Sequence, residues 1–266
     1  MPPIVDPTTM DYMEVKGNVH STESLACLEG PGNRFLLFLN GCAARCLYCS
    51  NPDTWDETVG TPMTVGQLIK KIGNLKNYYI NSVGGGGVTV SGGEPLTQFS
   101  FLACFLYAVK KHLNLHTCVE TTGQGCTKAW NSVLPHTDLC LVCIKHAIPE
   151  KYEQITRTKK LDRCLKFLKE LEKRNIPWWC RYVVLPGYTD SKEDIEALIE
   201  LVKNSPTCER IEFLPYHELG KNKWEELGIE YPLKNIKQLK KSEIKWICDM
   251  VREAFKDRNI PVTGDT

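Results

Sequence analysis

A chain of 266 residues, 42% hydrophobic and 24% charged, has room for one large α/β domain or two modest ones. Its 33 basic and 32 acidic residues leave a formal net charge of +1, which gives no argument for a nucleic-acid partner or an anionic membrane surface. No apolar run approaches the ~20 residues of a membrane span. The start, MPPIVDPTTMDYMEVKG, has neither the features of a secretory signal nor the Arg-rich character of a transit peptide. A cytoplasmic protein is expected, with an organelle left open should a transit peptide have been trimmed.

In chain order, short apolar runs alternate with longer amphipathic stretches. The strand-like runs are RFLLFLN (34–40), GVTVS (87–91), HTCVET (116–121), TDLCLVCIK (137–145), WWCRYVVL (178–185) and RIEFLPYH (210–217). Helical patterns occupy 64–79, 96–112, 127–134, 160–175, 192–204 and 242–259. Six strands alternating with helices imply right-handed βαβ units and a parallel sheet. The chemically unusual residues gather at the carboxyl ends of the strands: a cysteine cluster after the first, Gly92-Gly93-Glu94 after the second, Glu120-Thr121 at the third. Lys145 ends the fourth, Arg181 lies within the fifth and His217 ends the sixth. Sites contributed by all six strands favour a partial (βα)6 TIM-like barrel of parallel strands with outer helices over an open doubly wound sheet. No linker divides the chain, so one domain is expected over 1–266.

Thirteen cysteines in a chain without a signal peptide are expected to be mostly buried, reduced thiols. Cys42, Cys46 and Cys49 differ, spaced C-x3-C-x2-C in a loop. Three thiolates suit a [4Fe–4S] cluster with one iron left open; the alternative is zinc with a remote fourth ligand, Cys27 or a histidine. The glycines from 84 onward lack the Gly-Lys-Ser/Thr of a phosphate-binding loop. In SGGEP, two glycines and Glu94 offer carbonyls and a carboxylate to an ammonium group, or Glu94 is simply an acid at a helix start. Arg181, inside an apolar run, forms a structural salt bridge or meets a ligand carboxylate. His217 is a core histidine or part of the site.

The stretches EGPGNRFLLFLNGCAARCLYCSNPDTWD, GGGVTVSGGEPL, HTCVETTG, RYVVLPGYTD and IEFLPYHELGKNKWEELG resemble the pyruvate formate-lyase activating enzymes, a glycyl-radical-activase branch of the radical SAM superfamily. The similarity spans roughly residues 13–260 of a single radical SAM domain, leaving 1–12 as a poorly ordered N-terminal extension. The resemblance implies that Cys42, Cys46 and Cys49 hold a [4Fe–4S] cluster whose fourth iron binds S-adenosylmethionine. It implies that Gly92, Gly93 and Glu94 clamp the methionyl amino group, and that Tyr48 lies near the adenine. Glu120, Thr121, Lys145, Arg181 and His217 would surround the cofactor, with Lys145 and Arg181 in catalytic positions. Reductive cleavage of S-adenosylmethionine would give a 5′-deoxyadenosyl radical that takes a hydrogen atom from a backbone glycine of pyruvate formate-lyase. Flavodoxin or ferredoxin would be the electron donor, and the activase a monomer. Residues 50–103 contain no cysteine, so the ferredoxin-like insertion of several other activases is absent.

Two departures stand out. The family's Asp-Thr at the third strand is Glu120-Thr121, and Cys143 stands where its Asp-x-Lys has the aspartate. A neutral thiol is a poor ligand for a hard cation, which puts the family's monovalent-cation site in doubt. Glu29 replaces the usual aspartate before Gly-Pro-Gly, a milder change. An activase of another glycyl radical enzyme, or a weakened homologue that binds the lyase as a regulator, are the alternative readings.

Overall fold

The computed structural model describes residues 6–265. Its nine strands are β1 (Lys16–Ala26), β2 (Arg34–Leu39), β3 (Thr61–Thr64), β4 (Gly87–Gly92), β5 (His116–Thr121), β6 (Leu139–Cys143), β7 (Trp178–Val184), β8 (Cys208–Pro215) and β9 (Val262–Thr263). They belong to a nine-stranded, mostly parallel sheet. The helices are α1 (Val65–Gly73), α2 (Lys76–Ile80), α3 (Phe99–Ala108), α4 (Thr127–Val133), α5 (Pro149–Thr156), α6 (Leu161–Lys173), α7 (Lys192–Lys203), α8 (Lys221–Glu226) and α9 (Lys245–Ala254). Strands β2 and β4 to β8 are the six expected from the apolar runs, and the helical segments between them complete the series from which a (βα)6 partial barrel is built. No helix among the described residues is long and apolar enough to cross a membrane.

The chain divides into two compact units, one taking the segment up to Cys42 with Thr54–Leu141, the other Ala43–Asp53 with the chain from Val142 onward. In the first unit the strands neighbour one another in the order β3-β1-β2-β4-β5. β2, β4 and β5 are parallel, with Leu36 opposite Thr89 and Val90 opposite Val119. β1 runs antiparallel to both β2 and β3. Neither β1 nor β3 was expected, because KGNVHSTESLA and TPMT carry no continuous apolar run; long-range pairing supplies what local pattern lacks. α3 is buried on nearly every side, from Phe99 through Ala108, with Ser100 and Tyr107 the exceptions. The helix expected over 64–79 breaks after Gly73, and Thr64 and Gln67 close a reciprocal capping box at its start. Of the expected N-terminal extension, residues 1–5 lie outside those described. Thr8 and Thr9 bond back to Asp6, and the Tyr12 hydroxyl meets His112 Nε2 at 2.9 Å.

Arg34 opens β2 fully buried. Its guanidinium donates to Thr89 Oγ1 at 2.5 Å, the Pro31 carbonyl at 2.9 Å, the Val88 carbonyl at 2.7 Å and the His116 carbonyl at 3.3 Å. Burial lowers its pKa, yet Arg stays charged because its ordinary value is so high. One side chain thus ties the turn before β2 to the starts of β4 and β5. Gly87 makes that approach feasible: a Cβ there would lie 2.0 Å from the His116 carbonyl oxygen, so close packing, not phosphate binding, explains this end of the glycine run. Removing the guanidinium strands several buried acceptors, each costing about 1–3 kcal/mol.

In the second unit β8 lies between β7 and β9, parallel to both. β6 begins in the first unit and ends in the second. α6 buries Leu161, Cys164, Phe167, Leu168 and Leu171, spaced three and four apart along one face. α7 does the same with Ile195, Leu198, Ile199 and Val202, and Ser191 and Asp194 close its capping box. α5 and α8 were not expected, since PEKYEQIT and KNKWEE read as polar loop. Cys104, Cys118, Cys140, Cys164, Cys180 and Cys248 are buried, as expected of most of the cysteines.

Two outcomes test this account. Arg34→Met should lower unfolding stability by about 3 kcal/mol in urea titration. Burial, then the neighbouring Arg34 charge, presses the His116 pKa from 6.5 to about 4. The unfolded state therefore binds more protons between those values, so this stabilisation is complete above pH 6.5 and fades as pH falls toward about 4. His116→Gln should flatten that part of the stability–pH curve relative to the parent.

Candidate active site

Of the expected site residues, Cys42, Gly92, Gly93, Glu94, Glu120 and Thr121 lie in the first unit. β4 pairs Gly92 with Leu39, and beyond the strand the chain stays stitched to the residues entering the cysteine loop. The Gly93 amide donates to the Leu39 carbonyl and the Glu94 amide to the Gly41 carbonyl, both at 2.8 Å. A Cβ on Gly93 would lie 2.5 Å from the Gly41 oxygen and 3.1 Å from Cys42 Cβ, so glycine here is required by the closeness of two backbones. Opposite them, the Gly41 and Cys42 amides donate to the Thr54 and Trp55 carbonyls at 2.7 and 3.1 Å.

Glu94 is buried, and its carboxylate is already crowded with donors. Oε1 accepts from the Thr121 hydroxyl and from the Leu96 amide at 3.2 Å; Oε2 accepts from the Thr122 amide at 2.8 Å and the Thr122 hydroxyl at 2.6 Å. Four donors match the capacity of an ionised carboxylate. Glu94 therefore locks the end of β5 onto the end of β4. The Thr121 hydroxyl is itself committed, accepting from the Gly123 amide at 2.9 Å. Glu120, half-buried, accepts from the Ser91 hydroxyl at 2.5 Å.

Cys46, Tyr48, Cys49, Lys145, Arg181 and His217 lie in the second unit. Cys46, Leu47 and Tyr48 are buried although their segment has no regular structure, so its backbone needs partners from elsewhere. The Arg45 and Leu47 amides donate to the carbonyls of Thr156 and Ile155, at the end of α5, at 2.9 and 3.0 Å. From the other side α8 grips the segment: Trp224 Nε1 donates to the Cys49 carbonyl at 2.9 Å, and Lys223 Nζ reaches Asn51 Oδ1 at 2.8 Å and Asp53 at 3.1 Å. A Cβ on Gly220, just before α8, would sit 2.5 Å from the Ser50 carbonyl oxygen.

Lys145 Nζ lies 5.3 Å from the centre of the Tyr48 ring. Burial presses this ammonium toward neutrality, but Tyr48 and the thiols of Cys46, Cys143 and Cys49 outweigh it and hold the Lys145 pKa above its ordinary value. Lys145 is thus a fixed cation facing the cysteine segment, with Cys143 beside it. Arg181, only 6% exposed, forms an ion pair with Glu212 at 2.9 Å, its direct neighbour across β7 and β8. The structural salt bridge is present, and the Glu212 partner was hidden because it sits 31 residues away in sequence. His217 is exposed, not a core histidine, and its Nδ1 accepts from the Leu219 amide at 3.3 Å.

Among the described residues no three His, Cys, Asp or Glu side chains stand in ion-binding geometry. The donor set itself favours iron–sulfur chemistry over a hard cation, being three soft thiols. Cys27, weighed as a remote zinc ligand, is exposed with Sγ 3.6 Å from Asn33 Oδ1. Tyr48 offers a second observation: its hydroxyl is buried without a hydrogen-bond partner, as expected of a group whose partner is a bound molecule. The locking role of Glu94 has a direct consequence. Glu94→Gln turns an acceptor into a donor facing Thr122 or Thr121, and should cost about 2 kcal/mol of stability in denaturant melts of cluster-free protein.

Residues 28–172 match the 4Fe-4S single cluster domain family. The pyruvate formate-lyase-activating enzyme of Clostridium pasteurianum is 41% identical over 244 residues, covering 91% of this chain and 100% of its own. That of Staphylococcus epidermidis is 40% identical over 257 residues, covering 94% and 99%. Among solved structures, a domain of a pyruvate-formate lyase-activating enzyme from Bacteroides vulgatus aligns with TM-score 0.51 and 20% identity, covering 67% of this chain and 98% of that one. SuiB of Streptococcus suis, bound to precursor peptide SuiA, aligns with TM-score 0.64 and 17% identity over 84% of this chain and 46% of its own. The structural likenesses speak for the fold, whereas the sequence relatives align along nearly their whole length. On that ground the chain belongs to the pyruvate formate-lyase-activating enzyme family of radical SAM enzymes.

Proposed function

We propose that this protein is an activase that installs a glycyl radical on pyruvate formate-lyase, using a [4Fe–4S] cluster and S-adenosylmethionine. The observation that carries the reading is the three-cysteine segment, walled by Gly93 against Cys42 and gripped by α5 and α8 around Cys46 and Cys49, in a chain that matches named activating enzymes along their length. Cys42, Cys46 and Cys49 would ligate the cluster. When bound, the reduced cluster supplies the electron for reductive cleavage of S-adenosylmethionine, and hence the organic radical that takes a hydrogen atom from the lyase glycine.

The chain's own residues supply placement. The carbonyls of the Gly92–Gly93 segment accept from the methionyl ammonium, while Glu94 keeps that segment rigid by holding Thr121 and Thr122. Lys145 and Arg181 provide fixed positive charge for a carboxylate, Arg181 aimed by Glu212. Tyr48 presents its backbone and its unpartnered hydroxyl toward the nucleoside. Burial of Cys46, Leu47 and Tyr48 keeps water from the reacting centre. His217, at an exposed position, would be available to the cofactor. With Thr121 committed to Glu94 and Gly123, and a thiol at Cys143, Glu120 is left as the main oxygen ligand for a monovalent cation, so cation dependence is expected to be weak. The electron donor is flavodoxin or ferredoxin, the protein a monomer and the compartment the cytoplasm, where cysteines stay reduced.

The test is electron paramagnetic resonance of reconstituted, reduced protein mixed anaerobically with S-adenosylmethionine and pyruvate formate-lyase. About four irons per chain and a glycine-centred doublet are expected. A colourless protein with stoichiometric zinc would sink the reading. An intact, reducible cluster without a doublet would point to another glycyl radical enzyme, or to the regulatory role that the thiol at Cys143 leaves open. Turnover of S-adenosylmethionine that rises steeply in Cys143→Asp would favour the latter.

A further inference from the structure

Helix α5 follows closely after Lys145 in sequence, and its carboxyl end bonds to the cysteine segment. The last four carbonyls of an α-helix have no partner within it. In α5 the Glu153 carbonyl is met by the Arg157 amide at 2.8 Å, where a left-handed residue ends the helix. The Ile155 and Thr156 carbonyls are met by Leu47 and Arg45. Cys46 is therefore flanked on both sides by amides bonded to one helix end. The beginning of α5 is anchored to a buried carboxylate. Asp194, 1% exposed, receives the Lys151 ammonium from the first turn of α5; His146 Nε2 lies 3.2 Å away but makes no hydrogen bond, and burial favours its neutral form. The other Asp194 oxygen accepts from the Ser191 amide at 3.1 Å, closing the capping box of α7. His146 is fully buried, and its Nδ1 accepts at 2.9 Å from the amide of Ile148, the residue that caps α5.

We propose that Asp194, acting through Lys151, is a positioning residue that makes α5 a brace for Cys46, holding this thiol and Lys145 in a fixed relation. The cluster itself carries no part of the geometry. Backbone bonds at one end of an eight-residue helix reach the cysteine segment, and the ion pair with Asp194 pins the other end to α7. The inference rests on the reading of Cys46 as a cluster ligand, and the experiment separates the two.

Amide hydrogen exchange is measured on the cluster-free protein, and iron release to a chelator on the reconstituted one. In the parent, the Arg45 and Leu47 amides are protected. Asp194→Asn, which keeps shape and loses charge, should speed their exchange by about tenfold while β7 and β8 amides are unchanged. Iron release should accelerate by a similar factor, about tenfold, the usual scale for losing a group that orients a metal ligand. Lys151→Met should do the same and Lys151→Arg should restore the parent behaviour. Lys151 is 34% exposed, so this pair carries the test if Asp194→Asn does not fold. Unprotected Arg45 and Leu47 amides in the parent, or exchange unchanged in the variants, overturns the brace. A parent that takes up no iron, with exchange responding as stated, removes the cluster reading and supports the brace.

Discussion

A buried loop cannot leave its amides and carbonyls unanswered, and the cysteine segment is such a loop. Its backbone runs in neither helix nor strand, so no ladder of its own satisfies it. The surrounding structure supplies the partners instead. In the first unit Gly41 and Cys42 bond to Thr54 and Trp55, while Gly93 and Glu94 close on Leu39 and Gly41. In the second, α5 answers Arg45 and Leu47, and Trp224 answers Cys49. Much of what is irregular in the fold exists to meet this one requirement.

Charge follows the same logic, since a buried ion is tolerated only when paired or fully bonded. Arg34 is saturated by carbonyls and Thr89, Arg181 is paired with Glu212, and Asp194 is paired with Lys151. Glu94 is surrounded by donors from Thr121, Thr122 and Leu96. Each pins two or more chain segments that are distant in sequence. Lys145 differs, for the groups that favour its charge are Tyr48 and the sulfurs of Cys46, Cys143 and Cys49.

Two stretches that mark the activating-enzyme branch, CLYCSNPDTWD and LPYHELGKNKW, prove to be halves of one contact. Lys223 reaches Asn51 and Asp53, Trp224 reaches the Cys49 carbonyl, and Gly220 leaves no room for a side chain against Ser50. The residue types thus have a mechanical reason. An indole donor, a long cation and a glycine are what a short polar helix needs to hold a loop lying about 170 positions earlier in sequence.

By itself the sequence determined the six parallel strands, whose apolar runs are self-evident because both faces are covered, and the spacing of Cys42, Cys46 and Cys49. It also determined the placement of Gly92 to Glu94, Lys145 and His217 at strand ends. Only the tertiary structure decided that KGNVHSTESLA forms a strand and PEKYEQIT a helix, because neither has a pattern that local propensity can read. It likewise decided that Glu94 locks β5 to β4 through its four donors, and that Arg181 belongs to Glu212. Hydrogen bonds and ion pairs between segments tens of residues apart leave no periodicity in the chain; they come into being only when folding brings donor and acceptor together.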